Sequence, residues 1–272
     1  MSEMKACLNQ ATLLTANLET FIGAASAAKF DAVELRTEKV EEALKRKGKA
    51  ELSELIRSSR LEVVGLNALE NFTLDERQFA KAMDQANEMM RICNVIGSKR
   101  IVAISAPTLP GLKEQDAVER TKVGLRRLAH LGSEYGVGVC FEFLGFKSRS
   151  VRTLEESWRI LKELTSSRVN LVLDTFHFYV GGSSLDSLGK IPVERISVVH
   201  INDVKRKPSD QLSDGDRVLP GEGDMNPKPL IDQLRTKGYE GPLSVELFRE
   251  DYWKQDPLSV ARRARQSLDN FL

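Results

Sequence analysis

The feature that most constrains this sequence is a unit repeated about eight times, a short apolar run followed by a longer amphipathic stretch. The apolar runs begin near Lys5, Ala32, Leu61, Arg100, Val137, Val169, Ile196 and Pro242. The stretches between them space their apolar residues as helices do, for example over 75–96, 115–135 and 153–164. Thr153 followed by Glu156 is typical of a helix start. Apolar strands that alternate with helices predict a parallel sheet covered on both faces.

The number of units favours a closed barrel. Eight units in 272 residues average about 34 residues each, which fits a (β/α)8 TIM barrel of roughly 250 residues. The alternative is an open, doubly wound sheet, but its Gly-x-Gly-x-x-Gly signature is missing after the first strand, where residues 9–12 read Asn-Gln-Ala-Thr. No Pro-rich or Ser-rich linker divides the chain. We therefore predict one α/β domain, a TIM barrel, over residues 1–272.

The charge balance bears on what the chain binds. The sequence has 40 Lys and Arg against 39 Asp and Glu, a formal net charge of +1. A nucleic-acid-binding protein of this size normally carries a basic excess, because its affinity comes from neutralising phosphates. We therefore expect a small-molecule substrate, and no nucleic acid as a partner. The sequence also allows a homo-oligomer.

The apolar runs and the cysteines indicate a cytoplasmic protein. The longest apolar runs are far shorter than the ~20 residues that a membrane-spanning helix needs, and the first residues carry no signal region. Cys7, Cys93 and Cys140 have no paired spacing, which argues against a disulfide framework and against a thiolate zinc site. We expect a reducing compartment and no association with a membrane.

Polar side chains close four successive predicted strands. In a parallel barrel, the chemistry lies at the carboxyl ends of the strands. The residues at these ends are Glu142, Asp174, His200 and Glu246. Because consecutive strands are neighbours, the four side chains can converge, and three buried carboxylates would repel one another without a cation between them. Three carboxylates and one imidazole suit one divalent ion, Mn²⁺, Mg²⁺, Co²⁺ or Zn²⁺.

Several motifs resemble a known superfamily. They are Leu-Asp-Thr-Phe-His at 173–177, His-Ile-Asn-Asp at 200–203, Asp-Arg-Val-Leu-Pro-Gly-Glu-Gly at 216–223 and Ser-Val-Glu-Leu-Phe at 244–248. These motifs resemble the xylose isomerase-like TIM barrels of sugar isomerases, epimerases and dehydratases. Within that superfamily, the stretches at 7–12, 34–37, 66–69, 174–178 and 245–249 resemble the inosose isomerase (2-keto-myo-inositol isomerase) family of inositol catabolism.

The resemblance implies a site and a reaction. It implies that the four strand-end residues are the metal ligands, and that Glu142 and Glu246 are also catalytic. A divalent ion can chelate the adjacent carbonyl and hydroxyl oxygens of an α-hydroxyketone and stabilise the enediolate that forms when the α-proton leaves. A glutamate then moves the proton to the neighbouring carbon. The expected activity is an isomerase that converts 2-keto-myo-inositol to 1-keto-D-chiro-inositol, with one or both glutamates moving the proton.

Three further residues are candidates for substrate binding. The resemblance implies that His177 and Arg217 contact substrate oxygens. For His177 the alternative is a supporting contact with Asp174. Arg217 lies in the polar loop 205–223, where no apolar periodicity indicates burial, so we expect it to act on the substrate and not on the fold. For Arg217 the alternative is a loop ion pair with Asp214 or Asp216. Asn67 follows the third predicted strand, and from this position alone we predict that it forms a hydrogen bond with a polyol substrate.

Other activities can use the same ligands. Hydroxypyruvate isomerase, a ketose 3-epimerase and inosose dehydratase are the alternatives within the superfamily. An apurinic endonuclease of the endonuclease IV type shares the barrel but needs three zinc ions and additional histidines. This sequence has no histidine before His130, and it reads Asp216-Arg217-Val218 where that family has Asp-Arg-His. The nuclease is therefore disfavoured.

Overall fold

The repeated apolar runs form the strands of a closed parallel barrel in the computed structural model, which describes residues 4–73 and 75–272. The strands are β1 (Lys5–Asn9), β2 (Ala32–Arg36), β3 (Glu62–Leu69), β4 (Arg100–Ile104), β5 (Gly138–Glu142), β6 (Val169–Asp174), β7 (Ile196–Ile201), β8 (Asp203–Val204), β9 (Arg217–Val218) and β10 (Pro242–Val245). The barrel contains β1 to β7 and β10, whereas β8 and β9 form a separate antiparallel pair.

The barrel closes where its first strand pairs with its last. β1 lies parallel to β10, with Lys5 opposite Pro242 and Leu8 opposite Val245. From β1 to β7 each strand pairs with the next one in the sequence, and β7 pairs with β10. The prediction of a (β/α)8 barrel is confirmed, and the open doubly wound sheet is excluded because that sheet would leave two edges unpaired.

Helices surround the barrel. They are α1 (Leu18–Ala27), α2 (Thr37–Ser59), α3 (Glu76–Ile96), α4 (Glu114–Tyr135), α5 (Leu154–Leu161), α6 (Thr175–Gly181), α7 (Leu185–Gly189), α8 (Lys228–Thr236), α9 (Glu250–Trp253) and α10 (Pro257–Ser267). α5 begins as its sequence predicts: the Thr153 hydroxyl accepts from the Glu156 amide at 3.1 Å, and the Glu156 carboxylate accepts from the Thr153 amide at 3.2 Å. None of the described helices is long and apolar enough to cross a membrane.

The alternation of side chains along each strand separates two layers inside the barrel. Residues two apart on a strand share a face. Cys140, Val172 and Val198 form an apolar cluster with Val102, and the residues two positions further along the same strands are Glu142, Asp174 and His200. The barrel interior is therefore apolar in its middle and polar at the carboxyl ends of its strands, which positions the candidate site.

Candidate metal centre

The structure brings together the four polar residues at the strand ends. Glu142 ends β5, Asp174 ends β6, His200 is the penultimate residue of β7, and Glu246 follows β10. One ligand atom from each of the four lies within 4.8 Å of the others, and all four side chains are buried. The parallel register explains the convergence, since Asp174 lies opposite His200 across β6 and β7.

His200 lies at the centre of this cluster. Its Nδ1 atom is 2.9 Å from Glu142 Oε1 and 3.2 Å from Glu246 Oε2, and Nδ1 is 3.8 Å from Asp174 Oδ2. Its other ring nitrogen, Nε2, is 2.9 Å from an oxygen of Glu34. Burial alone would lower the pKa of His200, but the carboxylates around the ring outweigh burial and hold that pKa well above its usual value.

The surroundings push the pKa values of two carboxyl groups in opposite directions. Burial raises the pKa of Glu142 to about 7. The negative charges of Glu246 and Asp174 raise this pKa further, and the charge of His200 lowers it by less than these effects raise it. Burial also acts to raise the pKa of Asp174, but the Arg217 guanidinium and the nearby histidines outweigh it and lower that pKa. A carboxyl group whose pKa lies near neutral pH can take up and release protons during turnover.

The donor set fits one divalent ion. Carboxylate oxygens and a histidine nitrogen bind zinc at about 2.0–2.2 Å, so the ligand atoms of one ion are roughly 3–4 Å apart. The atoms within 4.8 Å of one another are close to this arrangement before any adjustment of the side chains. Three carboxylates and one imidazole also suit manganese, cobalt and magnesium. The residues therefore fit the predicted metal.

Arg217 does not lie in an open loop, and the expectation that it is not buried is wrong. Its side chain is 1% exposed, and its guanidinium carbon lies 4.7 Å from the ring centre of Phe176 and 5.4 Å from that of Phe248. The cause is the antiparallel pair β8 and β9, in which Val204 lies opposite Arg217 and folds the loop back toward the barrel. A strand of two residues is too short to show an apolar period in the sequence.

The guanidinium of Arg217 joins the cluster to the loop. Nη1 donates to Asp174 Oδ2 at 2.6 Å and to Glu246 Oε2 at 2.9 Å. Nη2 donates to Asp214 Oδ1 at 2.6 Å and to the ring of His177 at 3.1 Å. The loop ion pair with Asp214 is thus present, and it coexists with contacts to two of the three strand-end carboxylates.

His177 contacts Arg217 and not the carboxylate of Asp174. Asp174 Oδ1 accepts from the backbone amides of Phe176 and His177, at 2.6 and 3.2 Å, and so caps α6. Because Arg217 donates to His177 Nε2, a neutral ring carries its proton on Nδ1. Nδ1 is buried and has no hydrogen-bond partner among the described residues, and burial lowers the pKa of His177 to about 4. The ring is therefore a neutral donor next to the cluster.

Asn67 lies within β3 and not after it, because that strand continues to Leu69. Its amide nitrogen donates to Glu34 Oε1 at 3.2 Å, and the side chain is buried. Asn67 therefore reaches the cluster through Glu34. Its contact with a substrate stays a prediction.

Sequence reasoning missed the polar residues beneath the cluster. Glu34, on β2, lies 2.9 Å from His200 Nε2, and Asn9, at the end of β1, donates to both Glu34 and Glu246 at 3.0 Å. Ser244, on β10, donates to Glu34 at 3.0 Å. The signal for Glu34 was present, since Ala-Val-Glu-Leu at 32–35 is another apolar strand that contains a carboxylate.

The chain is similar in sequence and fold to proteins of known structure or activity. It is 31% identical to the inosose isomerase of Bacillus velezensis, over 98% of this chain and 96% of that one. It is 32% identical to the inosose isomerase of Bacillus subtilis, over 97% of this chain and 96% of that one. A crystal structure of the IolI protein with a bound zinc atom superposes with a TM-score of 0.95, at 30% identity, over 98% of both chains.

The family model described as xylose isomerase-like TIM barrel matches residues 22–271. This match covers most of the chain and includes the four strand-end residues, Glu142, Asp174, His200 and Glu246. The similarity predicted from the motifs is thereby confirmed, and the chain belongs to the xylose isomerase-like TIM barrel family.

Proposed function

We propose that this chain is a metal-dependent isomerase that converts 2-keto-myo-inositol to 1-keto-D-chiro-inositol in inositol catabolism. The observation that carries the proposal is the buried cluster of three carboxylates and one histidine at the carboxyl ends of the strands. The similarity to inosose isomerases over nearly the whole chain supports the substrate. The three cysteines are free thiols, which supports a cytoplasmic location.

Glu142, Asp174, His200 and Glu246 would hold the metal ion. When bound, a divalent ion supplies a Lewis acid that stabilises negative charge on the substrate oxygens. The zinc atom in the IolI structure supports zinc, and the donor set accommodates manganese, cobalt or magnesium as well.

The glutamates of the cluster move the proton. Glu142 or Glu246 accepts it from the carbon that bears the hydroxyl group beside the carbonyl, which leaves an enediolate. The same carboxyl group, or the other of the two glutamates, delivers a proton to the former carbonyl carbon, while the proton of the hydroxyl group moves to the oxygen of the former carbonyl. The carbonyl and the hydroxyl group thereby exchange places.

Arg217 and His177 stabilise negative charge on the substrate. Arg217 already donates to Asp174 and Glu246, so its guanidinium lies close enough to donate to a substrate oxygen beside these carboxylates. The Nδ1 atom of His177, which has no partner among residues 4–73 and 75–272, is a second donor. Donors that are held in place before charge develops lower the barrier without reorganisation.

The alternatives differ in their products and in their metal content. Inosose dehydratase would begin with the same proton abstraction and then lose hydroxide. An endonuclease IV-type enzyme would need two further metal sites, and the described part of the chain contains one cluster of potential ligands. The net charge of +1 also supports a small-molecule substrate over nucleic acid.

We expect one divalent ion per chain, and His200→Ala should lose it. Removing the imidazole takes away the only nitrogen ligand of the cluster and leaves its carboxylates to repel one another. Elemental analysis of the purified protein and of the variant measures the ion directly. His130→Ala, on the exposed face of α4, is the matched control and should keep its metal. Three equivalents of zinc in the wild-type protein would contradict the proposed site.

The reaction itself can be followed by NMR with 2-keto-myo-inositol and Mn²⁺ in heavy water. We expect a new keto-inositol in which the carbon that receives the proton carries deuterium, because the glutamate exchanges its proton with solvent. A conjugated diketone would identify a dehydratase instead. Metal-loaded protein that neither changes the ketone nor exchanges its α-proton would refute the proposed function.

A further inference from the structure

Glu34 is a fully buried carboxylate inside the barrel that does not belong to the four-residue cluster. Its oxygen Oε2 accepts from Asn9 Nδ2 at 3.0 Å and from the hydroxyl of Ser244 at 3.0 Å. Its oxygen Oε1 accepts from Asn67 Nδ2 at 3.2 Å. The remaining neighbour is His200 Nε2, which lies 2.9 Å from Oε2. Buried acids are rare unless such partners satisfy them.

The side chains of Asn9, Asn67 and Ser244 donate hydrogen bonds to Glu34, so Glu34 is an acceptor toward each of them. The amide of Asn9 is oriented unambiguously, because its oxygen accepts from the backbone amide of Ala11 at 2.9 Å, so its nitrogen must face Glu34. An ionised carboxylate has acceptor oxygens only. His200 must therefore donate its Nε2 proton to Glu34.

The proton on Nε2 determines what the other ring nitrogen can do. In a neutral imidazole, one nitrogen carries the proton and the other keeps a lone pair. The ring that binds a metal ion is neutral, so the lone pair of His200 then lies on Nδ1, the atom that is 2.9 Å from Glu142 Oε1 and 3.2 Å from Glu246 Oε2. A metal-binding histidine commonly donates its second ring nitrogen to a carboxylate in this way, which fixes the ring and strengthens it as a ligand.

We propose that Glu34 is a positioning residue, which holds the Nε2 proton of His200 and so leaves Nδ1 as the ligand atom of the ring, the atom that faces Glu142, Asp174 and Glu246. The inference rests on the proposed metal-dependent function. It adds a fourth acidic residue to the site, one that acts only through the histidine. The contact crosses the barrel interior, since β2 and β7 are separated by β1 and β10 in the strand order.

Two variants of Glu34 and one control test the proposal. Glu34→Ala removes the acceptor, while Glu34→Gln keeps an oxygen that can accept from His200 but removes the charge. Glu62→Gln is the control, because it removes one charge from β3 at an exposed ion pair with Lys5. The first measurement is the affinity for Co²⁺ by titration. The second is the ¹⁵N spectrum of protein labelled at its three histidines, in which His200→Ala identifies the signals of that residue.

We expect Glu34→Ala to weaken Co²⁺ binding by about 10–100-fold and Glu34→Gln by about tenfold. Without metal, and at a pH above the raised pKa of His200 so that its ring is neutral, the wild-type protein and Glu34→Gln should show His200 protonated on Nε2, and Glu34→Ala should lose this preference. Glu62→Gln should match the wild-type protein in both measurements. If Glu34→Ala does not fold, the affinity of Glu34→Gln decides the question.

Wild-type Co²⁺ affinity in the Glu34 variants, or an unchanged His200 tautomer in Glu34→Ala, would overturn the assignment of Glu34. That result differs from a failure of the proposed function. If Co²⁺ binds equally well to the wild-type protein and to His200→Ala, the metal centre itself is wrong. If His200→Ala loses the ion and both Glu34 variants bind it with wild-type affinity, only the role of Glu34 is wrong.

Discussion

Glu142→Gln and Glu246→Gln are each expected to lower kcat by about 10²–10⁴-fold, the usual contribution of a general base. Glutamine has nearly the same shape as glutamate but cannot accept the proton from carbon. Both variants should lower turnover far more than they weaken folding. Glu246→Gln should lower the melting temperature more than Glu142→Gln does, because the Glu246 carboxylate accepts from Arg217 and Asn9.

Loss of the metal has to be separated from loss of the base. Bound metal is therefore measured in each variant alongside turnover, with Glu134→Gln on the exposed face of α4 as the control. A variant that keeps its metal and loses turnover identifies the residue as the base. A variant that binds no metal and still turns over at the wild-type rate would show the proposed mechanism to be wrong.

Arg217→Ala is expected to lower the free energy of unfolding by about 3–5 kcal/mol, as the removal of one partner from a buried ion pair does. The guanidinium is buried and donates to Asp174, Glu246 and Asp214, so its loss leaves uncompensated negative charge in the barrel. From the sequence alone we expected Arg217 to act on the substrate and not on the fold. The buried contacts of its guanidinium replace that expectation with a loss of stability. Urea unfolding of wild type and variant measures the difference.

We expect the same variant to lower kcat/KM by about 10²-fold, because one donor to developing negative charge contributes roughly 2.7–4 kcal/mol to the barrier. Arg217→Lys should restore little activity, since an ammonium lacks the fork in which Nη1 donates to Asp174 and Glu246 while Nη2 donates to Asp214. Asp214→Asn tests the contact of Arg217 with the loop separately from its contacts with Asp174 and Glu246, because it removes the charge of the loop partner alone. Full activity in Arg217→Ala, with lowered stability, would limit Arg217 to the loop.

Much of the barrel can be predicted from the sequence because its signals are local. The expected strand starts agree with the structure to within one residue, from Lys5 to Pro242. Parallel register then places the last polar residue of each strand at the same end of the barrel, which is why Glu142, Asp174 and His200 could be grouped without a structure.

The sequence by itself determined the order of strands and helices, the parallel barrel and the carboxylates and histidine at its carboxyl end, because each depends on periodicity within a few residues. Only the tertiary structure decided which groups touch these residues. Glu34 meets His200 across the barrel interior, between strands that are not neighbours, and Arg217 reaches Asp174 because a pair of two-residue strands folds its loop inward. Contacts between residues far apart in the chain leave no periodic signal, since barrel closure and loop folding alone bring such side chains together.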